Sequence, residues 1–130
     1  MYEDDEIIES VVEEIPIEPE DLKPKKPSNR APEGIRTFTV CRRSDETGIS
    51  GEGVVIQGVV LAAGWCIVNW LTPAPFGSVA IFNSMQDFIT THIESHLSNG
   101  TIITFEDGEQ IKFNADGTRV SLVPKEVQNE

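Results

Sequence analysis

The sequence predicts a mainly β domain, a small antiparallel and strongly bent sheet or SH3-like partial barrel capped by one helix, carried behind a disordered acidic N-terminal arm. Three observations predict it. Short runs of β-branched and aromatic residues recur from Ile35 to Val123, separated by glycine, proline and Asp-Gly turns. A single stretch, Met85 to Ser95, has apolar residues at helical spacing instead. And the charge is lopsided: the formal net charge is −12, yet residues 1–21 hold ten acids and no Lys or Arg, so the remainder is close to neutral.

The arm comes first. Ile7, Ile8, Val11, Val12 and Ile15 recur at helical spacing in an acidic frame, which would place all five on one side of a short helix. A segment that short is marginal as a helix in water and is expected to be unfolded until it docks on a partner. Pro16, Pro19, Pro24, Pro27 and Pro32 follow and favour an extended spacer. Residues 1–33 are therefore read as arm and linker, 34–123 as the domain and 124–130 as a polar tail.

Within the domain, Ile35 to Arg42 alternates as a strand, with Phe38 and Val40 on one face and Thr37, Thr39 and Cys41 on the other. Asp45 and Glu46, like the carboxylates of Glu106 to Glu109, fall in turns, where carboxylates are usually solvated. A central hairpin follows the glycine-rich turn Gly48 to Gly53. Its strands are Val54 to Leu61 and Trp65 to Leu71, joined at Ala62-Ala63-Gly64. Gly58, in mid-strand, suggests a bulge or a bend. In the second hairpin strand Cys66, Val68 and Trp70 form the core-facing side, with Trp65, Ile67 and Asn69 opposite. Trp65 is thus a candidate partner anchor. After the proline loop at Thr72 to Pro75, Ser78 to Phe82 is a fourth strand. Ser84 then caps the predicted helix, with Asp87 three residues on. Thr101 to Phe105, Gln110 to Phe113 and Thr118 to Val123 complete the strands, joined by Asp107-Gly108 and Asp116-Gly117 turns. Short connections make the pairing antiparallel.

The inventory of reactive groups assembles no active site. His92 and His96 are one helical turn apart, but Glu94 does not directly follow the first His as in the zinc-protease pattern, and no CxxC completes a structural site. Ser50 lacks the final glycine of a nucleophile elbow, because Glu52 stands there. Gly48, Gly51 and Gly53 precede no helix and no lysine, so neither phosphate-loop pattern is met. Cys41 and Cys66 sit among apolar or β-branched neighbours as buried thiols do. The acidic arm argues against direct nucleic-acid or anionic-membrane binding. The N-terminus lacks a basic start and a continuous apolar run. The expectation is a soluble cytoplasmic protein with no cofactor and no metal.

Several of these residues together resemble a pattern found in small β-domain proteins of bacteriophages and bacteria, actinobacteria among them. They are Arg42-Arg43, Asp45, Ser50-Gly51-Glu52-Gly53, Val55, Gly58-Val59, Gly64 and Trp70, then Ser78 to Phe82 with Ser84 and Asp87. The resemblance spans roughly Phe38 to Phe105 and departs at His92 to Gly100, where related chains carry a glycine- and histidine-rich run. It consists of turn glycines and core residues, so it implies a fold and brings no activity with it. The function expected is a non-enzymatic binding or accessory protein, in the host cytoplasm or virion if the chain is viral. It would engage a protein partner through Ile7, Ile8, Val11, Val12, Ile15 and Trp65. Two rivals follow from the same residues: an acidic nucleic-acid mimic filling a basic groove on a host protein, and a small metal-dependent enzyme using His92 and His96.

Overall fold

A computed structural model describes residues 19–49, 51–71 and 77–124 of the chain. The arm residues Ile7 to Ile15, Ser50, the proline loop at 72–76 and the tail beyond 124 lie outside the described residues. Among the described residues, seven strands form one antiparallel sheet: β1 (Arg36–Arg42), β2 (Gly53–Val60), β3 (Cys66–Trp70), β4 (Val79–Phe82), β5 (Ile102–Phe105), β6 (Gln110–Phe113) and β7 (Arg119–Leu122). Their order across the sheet is β4-β3-β2-β1-β5-β6-β7. Of the two forms expected, the open sheet is the one adopted, with β4 and β7 as its edges.

The first four strands form a meander, and the chain must then return from the β4 edge to reach β5 beside β1. Helix α1 (Met85–His92) makes that return across one face. Ser84 caps it as expected, accepting a hydrogen bond from the Asp87 amide at 3.0 Å. Its Phe88 and Ile89 are buried, as is Ile93 just beyond it. The Phe88 ring lies 6.2 Å from that of Phe38 and 5.6 Å from that of Phe82. Phe105 closes on the other side of Phe38 at 5.9 Å, edge to face. Around these rings Val40, Ile56, Cys66, Val68 and Ile103 are also shielded from water.

Gly58 is explained by this core and not by a bulge. It pairs directly with Phe38 across β1 and β2. A Cβ at position 58 would clash with the tip of the Phe38 ring, 2.2 Å from its Cζ, so the absent side chain is the room the ring needs. The bulge lies elsewhere, where the register slips between Val40 and Cys41 and leaves Val55 as the extra residue of β2.

The helix is shorter than expected. It stops at His92, and residues Glu94–Asn99 wind as 3-10 turns that break at His96, with φ −140° and ψ 61°. The break sends the His96 ring to the Glu46 carboxylate, Nδ1 to Oε1 at 2.8 Å. Asn99 then docks the segment onto the β1–β2 loop. Its carbonyl accepts from the Arg43 and Ser44 amides and its side-chain oxygen from the Glu46 amide at 2.7 Å.

Gly58→Ala is expected to cost about 1–3 kcal/mol through overpacking against Phe38. Thermal unfolding should show a loss of about 4–8 °C per kcal/mol. Ser84→Ala should cost about 1 kcal/mol by the same measurement, because the cap is lost and no buried contact changes.

Candidate docking surface

The face of the sheet away from α1 is built from the alternate residues of the same strands. Two rows run across it. Thr37, Val59, Ile67 and Ile81 form one; Thr39, Gln57, Asn69 and Val79 form the next. Part of this face is covered by the chain's own N-terminal residues. After a 3-10 turn at Glu20–Leu22, an extended strap climbs along β1. Prolines at 24 and 27 hold the strap extended and have no N–H, so the strap meets the sheet with its carbonyls. The Leu22 carbonyl accepts from the Cys41 thiol at 3.1 Å, and that of Lys25 accepts from the Thr39 hydroxyl. Those two β1 side chains are buried for this reason. Residues 19–31, read from sequence as spacer, are thus laid against the domain.

Glu106 fastens the strap's upper end. Its carboxylate accepts from the Thr37 amide and hydroxyl, each at 2.8 Å, and from the Ala31 amide at 3.0 Å. The expectation of a solvated turn carboxylate is corrected here. The Thr37 amide and hydroxyl, then the Ala31 amide, hold its pKa below the usual carboxylate value. Asp45 departs from that expectation too. The Gly51 amide first, then the Thr47 hydroxyl and amide, lower its pKa, and its side chain is only 6% exposed beside the buried Arg42, 3.6 Å away.

Beside the strap the face is open. Pro27, Ser28 and Asn29 form one wall of a groove of about 380 Å³, Val79 forms the opposite wall, and Gln57, Val59, Ile67 and Asn69 line it between. Beyond it Val79 and Ile81 are 64% and 63% exposed on the edge strand β4. Trp65, one residue before β3 and in phase with Ile67, is 46% exposed. The structure therefore places Trp65 at the surface beside an apolar band that sequence alone did not single out. The alternation of Val59, Ile67, Val79 and Ile81 was legible, but nothing in it distinguished a covered face from an open one.

His92 and His96 are parted by the end of α1. His92 is wedged edge-on between Trp70 and Phe82, ring centroids 5.4 and 5.6 Å away. Burial, Arg42 and His96, in that order, lower its pKa. Among the described residues no three His, Cys, Asp or Glu side chains converge as metal ligands. Cys41 and Cys66 are buried thiols on opposite faces of the sheet, with β2 between their strands. Burial pushes the Cys66 thiol up to about 11. No helix among the described residues is long and apolar enough to cross a membrane.

The Glu106 clasp should be acid-labile. A carboxylate whose folded pKa is depressed contributes stability above its unfolded pKa, about 4.3, and loses it as pH falls through the folded value. Hydrogen exchange at the Ala31 and Thr37 amides should be slow at pH 6 and accelerate, relative to intrinsic rates, only well below about 4.3. Glu106→Gln should weaken protection at both amides and flatten that pH dependence.

No curated protein and no solved structure matches the chain. A family of phage proteins does, over residues 35–107. That span takes in β1 to β5 and α1, the aromatic core and the central hairpin, and leaves out the strap, β6 and β7. It is more than half of the chain, and the chain belongs to the Acb5 phage protein family.

Proposed function

We propose that this phage-family chain is a non-enzymatic accessory protein that works by binding another protein through the open part of its strap-side face. One observation carries the reading. The edge strand β4, Val79-Ala80-Ile81-Phe82, has no charge and no proline to blunt it, and exposes Val79 and Ile81 beside Trp65 and the groove. Exposed edges of folded domains are ordinarily guarded by such residues, and a contiguous apolar patch is a common mark of an interaction site. Trp65 supplies a large, partly exposed ring of the kind that anchors interfaces. The arm residues Ile7, Ile8, Val11, Val12 and Ile15 add a second apolar element of the same β-branched character.

Ile81→Lys and Trp65→Ala should each abolish co-purification of the partner from the natural host, with the melting temperature moved by no more than about 0.5 kcal/mol in stability, as for exposed positions generally. Val11→Asp with Val12→Asp should weaken capture without any effect on melting. Partner recovery unchanged by Ile81→Lys and by Trp65→Ala would refute the assignment of this face.

A further inference from the structure

We propose that the strap, residues 19–31, is a releasable cover: it lifts from β1 as a unit, pivoting at Gly34, while the sheet beneath it stays folded.

The way the strap is held carries the argument. β1 lies between β2 and β5, and its backbone groups are engaged by those neighbours. The strap therefore cannot join the ladder and is left with side chains to bond. Its holds are polar: the Leu22 carbonyl on the Cys41 thiol, the Lys25 carbonyl on the Thr39 hydroxyl and the Ala31 amide on the Glu106 carboxylate. Every residue from 19 to 31 is exposed or half-buried, and none is buried. Helix α1, by contrast, buries Phe88 and Ile89 on the other face. Lifting the helix would bare apolar side chains to water. Lifting the strap exchanges its hydrogen bonds for bonds to water, at modest net cost. Segments with few buried apolar contacts open before the rest of a fold.

The chain also supplies a hinge. The strap runs antiparallel to β1 and reverses into it through a turn, in which the Ile35 amide donates to the Pro32 carbonyl at 3.0 Å and Gly34 sits at φ 87°. The family-matched span begins at residue 35, just past this turn. Pro27, Ser28 and Asn29 form one wall of the groove, so release removes that wall and joins the groove to the strip of Thr37, Thr39 and Cys41. On the partner reading of this face, the strap then sets how much of it is open. The release itself does not rest on that reading.

Two native thiols report the two kinds of opening in the full chain. Cys41 lies under the strap, and Cys66 lies on the helix face, 3.8 Å from the Met85 sulfur. The chain is treated with iodoacetamide at several urea concentrations below its unfolding transition, and each site is followed by peptide mass spectrometry. Each rate is divided by that of the same thiol in the unfolded chain. Cys41 should be protected, but at least about tenfold less than Cys66 and with a shallow urea dependence, because lifting the strap exposes little surface. Cys66 should follow global unfolding steeply. Backbone amides of β1 and β5 should keep exchanging at the global rate, since β1 stays paired while its thiol is reached. Ser84→Ala should speed Cys66 roughly fivefold through the lost helix cap and leave Cys41 unchanged, because the helix is intact when the strap lifts. Cys41 protected as well as Cys66, a parallel rise of both in Ser84→Ala, or β1 amides exchanging along with the Cys41 thiol would each overturn the proposal. In those cases the strap leaves only when the sheet comes apart. Cys41 as reactive as in the unfolded chain would overturn it from the other side, because the strap would then not be seated at all.

Discussion

The fold depends on one packing arrangement, the Phe38 ring lying over the bare backbone of Gly58. Phe38 is fully buried at the centre of the strand order, touching β2 below it, Phe88 of the helix above and Phe105 beside it. Burying a side chain of this size contributes on the order of 1.5–3 kcal/mol. The ring can come that close only because position 58 has no Cβ. The helix can in turn approach the sheet only as closely as the ring permits. The central hairpin, the helix and β5 are therefore placed by the same contact, and the family match covers the span that contains it.

The two faces of the sheet are closed by different physics. The α1 face is closed by apolar packing. The other face presents Thr37, Thr39, Cys41 and Thr104, whose polar groups need partners once water is removed. A proline-bearing strap suits that need, because it brings carbonyls and few competing donors. Its coverage stops at Pro27 to Asn29, and the groove is the part of the face beyond it. The loop end is held by a third device. Arg42, 4% exposed and stacked 5.1 Å from the Trp70 ring, is balanced by Asp45, whose own geometry is set by loop amides. Burial lowers the Arg42 pKa, and Asp45 and Glu46 act against that.

Much of the architecture was legible in the residues because it is local. Strand periodicity, the Ser84 cap and the two Asp-Gly turns each report on a few neighbouring positions, and the structure has strands, helix and turns where they indicate. The core side of β3 was legible from alternation alone. The roles of Gly58, Asn99, Asp45 and Glu106 were not. Each acts on a residue distant in sequence: Phe38 for Gly58, the Arg43 and Glu46 amides for Asn99, Arg42 for Asp45, and Thr37 and Ala31 for Glu106. A turn carboxylate that is solvated and one that clasps a strap have the same local sequence.

By itself the sequence determined the class of the domain, the antiparallel pairing of neighbouring strands and the absence of any recognisable reaction motif. Hydrophobic period and turn chemistry are properties of adjacent residues, and they suffice for that. Only the tertiary structure decided that the sheet stays open, that β5 pairs with β1, and that the proline segment lies on the sheet. It also decided that the helix yields at His92 so that His96 and Asn99 can meet the β1–β2 loop. These outcomes depend on which distant surfaces fit one another. The apolar band of Trp65, Ile67, Val79 and Ile81 is the clearest case: alternation placed Trp65 and Ile67 on one face of β3, and the reach of the strap left that face open.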